Sequence, residues 1–200
     1  MAANAITLFR LMITFVVIAV FNQHPYIDIV CIVTIIIIFY LDSVDGIVAR
    51  KRNETSAFGA VFDIAADRIV EIVFWIYFSV VSNIIPYWLP MIVITRGLLT
   101  DSVRSMAMQD NKTPFEMMTI PWTRALTSSR FSRGFYGGIK LLTFVLLPTL
   151  SFLTQYHPNT YILPTFTHVT VIFAYATVAV CLIRGFPVFV DGWKYIKANQ

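Results

Sequence analysis

The sequence predicts an all-α integral membrane protein, with six transmembrane helices in one bundle and both termini in the cytoplasm. Three observations predict it. Hydrophobic residues make up 58% of the 200-residue chain and charged residues only 13%, against roughly 25% charged in an ordinary soluble domain. Six apolar stretches approach the ~20 residues that a helix needs to cross a bilayer. The basic residues fall in alternate links between those stretches, which is the pattern that sets membrane orientation.

The first span is expected over about Ala5 to Phe21 and the second over about Ile27 to Arg50. The third covers about Ala57 to Val81 and the fourth about Tyr87 to Met108. The fifth covers about Phe135 to Leu153 and the sixth about Leu163 to Ile183. His24-Pro25, Pro86, Pro90, Pro158 and Pro164 mark breaks between spans. No Lys or Arg precedes Arg10 and no small-x-small cleavage site follows the first apolar run, so a retained span is expected there. The links Asn22 to Tyr26, Ser82 to Pro86 and Thr154 to Pro164 carry no Lys or Arg. Arg50, Lys51 and Arg52 follow span two; Lys112, Arg124, Arg130 and Arg133 separate spans four and five; Arg184, Lys194 and Lys197 follow span six. One domain, residues 1–200, is expected. Gln109 to Ser132 is the one long polar segment, expected as an interfacial loop or short amphipathic helix. Cys31 and Cys181 lie in apolar stretches and read as buried thiols, not a disulfide or metal framework.

An unusual set of charges stands where span two ends and span three begins. Asp42, Asp45, Gly46 and Ala49 share one helical face, with Arg50 at its margin. Gly59, Asp63 and Asp67 share a face on the next helix. The short link Lys51 to Ser56 makes the two helices antiparallel neighbours, so two carboxylates from each converge. An intramembrane Asp costs about 2.5–3.5 kcal/mol, and four together repel. A divalent cation resolves both problems: hard carboxylate oxygens suit Mg²⁺ or Mn²⁺, and four of them could hold two ions clamping a phosphoryl group. The spacing does not fit a calcium-binding EF-hand loop. A cation-coupled transporter is the reading from another class, but it favours carboxylates spread through the membrane depth.

The run Asp42-x2-Asp45-Gly46-x2-Ala49-Arg50-x8-Gly59-x3-Asp63-x3-Asp67 resembles, without substitution, the signature of the CDP-alcohol phosphatidyltransferases. Six membrane helices and, often, a homodimer are what that resemblance implies for the architecture. For the chemistry, it implies transfer of a phosphatidyl group from CDP-diacylglycerol to a small alcohol, with release of CMP, in phospholipid biosynthesis. Asp42, Asp45 and Asp63 would bind the first metal ion. Asp67 would be the general base and help hold a second. Gly46 and Arg50 would contact the CDP moiety, with Ser56 a further contact. Asn4, Thr7 and Arg10 resemble an early family segment that helps hold the nucleotide, with Ala3 standing where that segment has Pro. The alternative for Arg10 is an arginine snorkelling from a helix end. Glu71 is expected to pair with Arg68 or Arg96.

For the acceptor, Arg104, Arg124, Arg130, Arg133 and Lys140 form a cationic set. Loop charge and attraction to anionic lipid account for part of it. Arg104, Arg133 and Lys140, however, fall at or within span ends, and with Arg130 they are the expected acceptor-phosphate residues, since arginine grips phosphate bidentately. Ile94 to Arg104 is similar to the span-four segment of phosphatidylglycerophosphate synthases, with Gly97 where those carry Glu. Ser129 to Gly134 is basic but departs from their Gly-Lys-x-Lys-Thr segment. Phe58 to Asp63, with Asp67-Arg68, is similar to members that use inositol phosphate. Glycerol 3-phosphate is therefore the first expectation, inositol phosphate the second and an unphosphorylated alcohol the third. Nucleic acid is not an expected partner.

Overall fold

The computed structural model of the chain describes residues 2–51, 57–109 and 120–198. Every regular element among them is helical: α1 (Ala2–Val20), α2 (Pro25–Lys51), α3 (Ala57–Ile76) with a π-helical turn (Tyr77–Val81), α4 (Trp88–Gln109), α5 (Pro121–Ser128), α6 (Arg130–Tyr156) and α7 (Leu163–Ala198). Helices stand at all six expected spans, and α5 falls within the polar segment. Two stretches, Pro121–Tyr156 and Leu163–Trp193, are long and apolar enough to cross a bilayer. Asn4–Val20 and Pro25–Leu41 are shorter apolar helices. Charges thin the apolar character of the others: α3 carries Asp63, Asp67, Arg68 and Glu71, and α4 carries Arg96, Asp101 and Arg104.

Prolines act by position. Pro25 opens α2, and Pro90 and Pro164 sit in the first turns of α4 and α7, where a missing N–H costs no intrahelical bond. Pro148 and Pro187 lie inside helices that continue past them. α7 runs beyond Ile183 to Ala198, because Arg184 and Asp191 interrupt the apolar run without interrupting the helix. Helical hydroxyls are satisfied locally: Thr14 Oγ1 donates to Arg10 O at 2.8 Å and Thr100 Oγ1 to Arg96 O at 2.9 Å. This lets Thr sit inside apolar helices.

The chain divides into two compact units. The first is Met1–Tyr87 with Thr143–Thr170. Its core is aromatic, and Phe144 is the hub: it stacks on Phe39 of α2 at 5.1 Å, packs against Phe74 of α3 at 5.8 Å and meets the edge of Trp75 at 5.3 Å. α1 packs on both α2 and α3. The turn after α1 uses Asn22 at φ 67°, a conformation asparagine tolerates. Its N–H donates to the buried Asp28 carboxylate at 2.8 Å.

The second unit is Trp88–Leu142 with Val171–Gln200. Leu89 and Val93 of α4 and Ala174, Val178 and Val188 of α7 are buried in it. Trp88 meets Tyr175 edge-on at 5.4 Å, and Thr177 Oγ1 donates to Ile139 O at 3.4 Å, tying α7 to α6. Both cysteines are free and buried.

Candidate functional site

The first unit holds the aspartates of α3. Asp63 and Asp67, four apart, share a face, and the side chain of each is 40% exposed. Arg10 of α1 reaches both. Its guanidinium pairs with Asp67 Oδ1 and stands 3.6 Å from Asp63 Oδ1. Arg10 is only 1% exposed, so it is not a snorkelling arginine. A buried guanidinium requires a counter-charge, and the two carboxylates supply it. Thr7, one turn earlier on α1, is buried, and Asn4 is half-buried. One turn beyond Asp67, Glu71 is buried and lies 3.8 Å from Arg68 Nη1.

Contacts fix the register of α1, α2 and α3. Cys31 Sγ of α2 lies 3.9 Å from Val17 O of α1. Phe21 meets Phe78 at 6.0 Å and Arg10 meets Asp67; each pair is 57 apart in sequence, so α1 and α3 run parallel in constant register. α1 and α2 run antiparallel. Seven residues back from Val17 lies Arg10; seven on from Cys31 lies Ile38. Another four residues, about 6 Å of helix rise, bring the α2 backbone to Asp42, and four residues back from Asp67 is Asp63. The backbones of Asp42 and Asp63 therefore come level. The side chains of Asp42, Asp45 and Arg50, and Gly46 with them, lie outside the described residues, as does Ser56 altogether. Among the described residues no three acidic, His or Cys side chains group as a metal site. The described half of the cluster, two partly exposed carboxylates on one face, is a hard-oxygen donor set that fits a divalent cation.

The second unit holds the basic residues. Arg133, Tyr136 and Lys140 lie on one face of α6, with Lys140 Nζ 5.7 Å from the Tyr136 ring centre. Arg184 of α7 covers that ring at 5.0 Å and donates to Thr127 O of α5 at 3.4 Å. Arg96 and Arg133 are near enough to Arg184 to repel it. Thr123 of α5 hydrogen-bonds the buried Asp191 of α7. Arg133 is exposed, as is Arg124 on α5. Arg104 lies 3.7 Å from Asp101 on its own helix, and the Arg130 side chain lies outside the described residues. A side chain built at Gly134, Gly137 or Gly138 would meet open space. Sequence reasoning assigned no site role to Tyr136, Arg184 or Asp191. The available signal was a pair of charges seven apart on one face of an otherwise apolar helix.

The regular elements among the described residues are helical, with apolar helices and paired carboxylates on one of the helices, which is the setting of a helical membrane protein that handles charge. The sequence model of the CDP-alcohol phosphatidyltransferases matches residues 1–183, and the chain belongs to that family. It is a transferase of substituted phosphate groups, moving a phosphatidyl group from a CDP-alcohol lipid to an alcohol in phospholipid synthesis. Members of the family are membrane proteins and generally depend on a divalent metal. No curated protein and no solved structure matches the chain.

Proposed function

We propose that the chain transfers the phosphatidyl group of CDP-diacylglycerol to glycerol 3-phosphate, as a single six-span membrane domain with its site facing the cytoplasm. Asp42, Asp45, Asp63 and Asp67 would hold two ions of Mg²⁺ or Mn²⁺. When bound, the ions supply positive charge to the pyrophosphate. Gly46, Arg50 and Ser56 contact the CDP group, and Asn4 and Thr7 support the nucleotide from α1. Asp67 takes the proton of the acceptor hydroxyl. The resulting alkoxide attacks the lipid-side phosphorus, the bond to the CMP oxygen breaks, and CMP leaves with that electron pair. Arg104, Arg130, Arg133 and Lys140 bind the acceptor phosphate. A homodimer is the proposed assembly.

One observation carries this reading: Arg10 gathers Asp63 and Asp67 on one face while leaving each partly exposed. Such carboxylates remain reachable by a substrate hydroxyl and a cation. The Arg133–Tyr136–Lys140 face, beside the open space at Gly137, supports a phosphorylated acceptor. Inositol phosphate is the second reading, because Phe58 to Asp63 resembles the members that use it. An unphosphorylated alcohol is the third. Membership in a transferase family displaces the transporter reading.

The test is CMP release from CDP-diacylglycerol by the purified protein across a panel of polyols and phosphorylated polyols, with mass spectrometry of the lipid product. Release is expected only with an acceptor and Mg²⁺ or Mn²⁺, and fastest with glycerol 3-phosphate. Release undiminished by chelator would remove the metal role, and a different preferred acceptor would replace glycerol 3-phosphate.

A further inference from the structure

Between α4 and α7 of the second unit runs an apolar groove of about 650 Å³. Trp88, Met91 and Leu99 line one wall, and Leu182, Phe186 and Phe189 the other. From Trp88 to Leu99 the wall is roughly 16 Å long at the helical rise, close to the ~15 Å depth of one hydrocarbon leaflet. Among the described residues of the lining, the polar side chains are Thr95 and Arg96.

Arg96 is the feature that an acyl groove alone does not explain. Its side chain crosses α7 at Gly185, where any Cβ would collide with it. Its Nε is buried with no hydrogen-bond partner among the described residues. Arg184, next to that glycine, adds a second positive charge within electrostatic reach. A donor left unbonded in an apolar setting is costly, and a guanidinium with a second positive charge in electrostatic reach favours an anion. The groove thus pairs an acyl-sized apolar channel with an unanswered positive charge.

We infer that this groove binds an anionic phospholipid, with one acyl chain along α4 and α7 and the phosphate at Arg96. The lining lies outside residues 42–67, so the site is separate in sequence from the proposed donor half and does not depend on which acceptor is used. Charge favours a lipid over a second copy of the chain: the protein carries a net +4, and a second copy would bring more positive charge to Arg96. Basic recesses between membrane helices are a recurring means of selecting anionic lipids.

The test uses the full chain in neutral detergent, read by thermal unfolding and native mass spectrometry with dioleoyl phosphatidic acid, dioleoyl phosphatidylcholine, glycerol 3-phosphate or inorganic phosphate. Phosphatidic acid is expected to bind and raise the melting temperature through Arg96; phosphatidylcholine is expected not to, and any stabilisation by glycerol 3-phosphate or inorganic phosphate, which the proposed acceptor site would bind, is expected to be unchanged in Arg96→Gln. Arg96→Gln should weaken phosphatidic acid binding roughly tenfold, the worth of one charge-assisted hydrogen bond, and Arg96→Lys should retain part of it. Thr95→Trp, on an exposed position of the lining, should block the groove to a similar degree without disturbing the lipid-free melting temperature. Equal stabilisation by phosphatidylcholine, or a chain-free phosphate's stabilisation that is lost in Arg96→Gln, would overturn the inference. So would full phosphatidic acid affinity in Arg96→Gln or Thr95→Trp. A lipid-free dimer that Thr95→Trp dissociates would overturn it in favour of a second copy.

Discussion

The proposed donor half and the proposed acceptor half are built by different rules. In the donor half, acids stand at fixed intervals along α2 and α3, and the two on α3 answer to one buried arginine on α1. In the acceptor half, cations from α4, α6 and α7 are held by whatever lies near: the Tyr136 ring, the Thr127 carbonyl, Asp101. A metal site needs oxygens at set distances and angles, so its ligands must repeat in register with the helix. A phosphate pocket needs net positive charge and a few donors, which many arrangements supply. The first rule leaves a spacing in the sequence, whereas the second leaves only a basic composition.

The sharpest way to break this comparison is Asp67→Asn, which should lower turnover about a thousandfold, as loss of a general base does. CMP release measures it, and a loss below tenfold would move the base elsewhere. Arg10→Met should cost about 3 kcal/mol of stability, because Asp63 and Asp67 lose the buried cation between them. Denaturation in detergent reads this, and Asp67→Asn should cost less, since Asp63 remains 3.6 Å from Arg10. On the acceptor side the effects should be smaller and divided. Arg133→Ala should raise KM for a phosphorylated acceptor roughly tenfold and leave KM for the CDP-lipid unchanged; an equal rise in both would argue against an acceptor role. Asp191→Asn, which keeps an oxygen for Thr123, should cost under about 1 kcal/mol, and Asp191→Ala about twice that. A larger loss in Asp191→Asn would show that the charge, not the hydrogen bond to α5, holds that helix.

The helices were legible in the sequence because apolar runs and their basic flanks mark them. Their ends were less so. α7 passes Pro187 and Asp191 beyond the expected end at Ile183, since a helix held by packing tolerates residues that punctuate an isolated one. The donor motif was legible as eight residues at fixed spacing from Asp42 to Asp67, of whose carboxylates the structure describes Asp63 and Asp67, four apart on one face. The burial of Arg10 was not: an arginine near the middle of an apolar helix reads the same whether its head turns to water or to an acid 57 residues away. The Arg184–Tyr136–Thr127 arrangement was equally hidden, since its members lie on three helices and only tertiary packing joins them.

The pairing of Arg10 with the α3 acids also bears on how the chain enters the membrane. Asp63 and Asp67 each make α3 a poor substrate for insertion by about 2.5–3.5 kcal/mol, and Arg10 does the same to α1. Neither helix is at ease in lipid alone, yet each carries the charge that the other lacks. In the proposed six-span arrangement, α1 and α3 should therefore partition into the bilayer together. Arg10→Leu would make α1 a better independent span while leaving more chains with α3 stranded outside the bilayer.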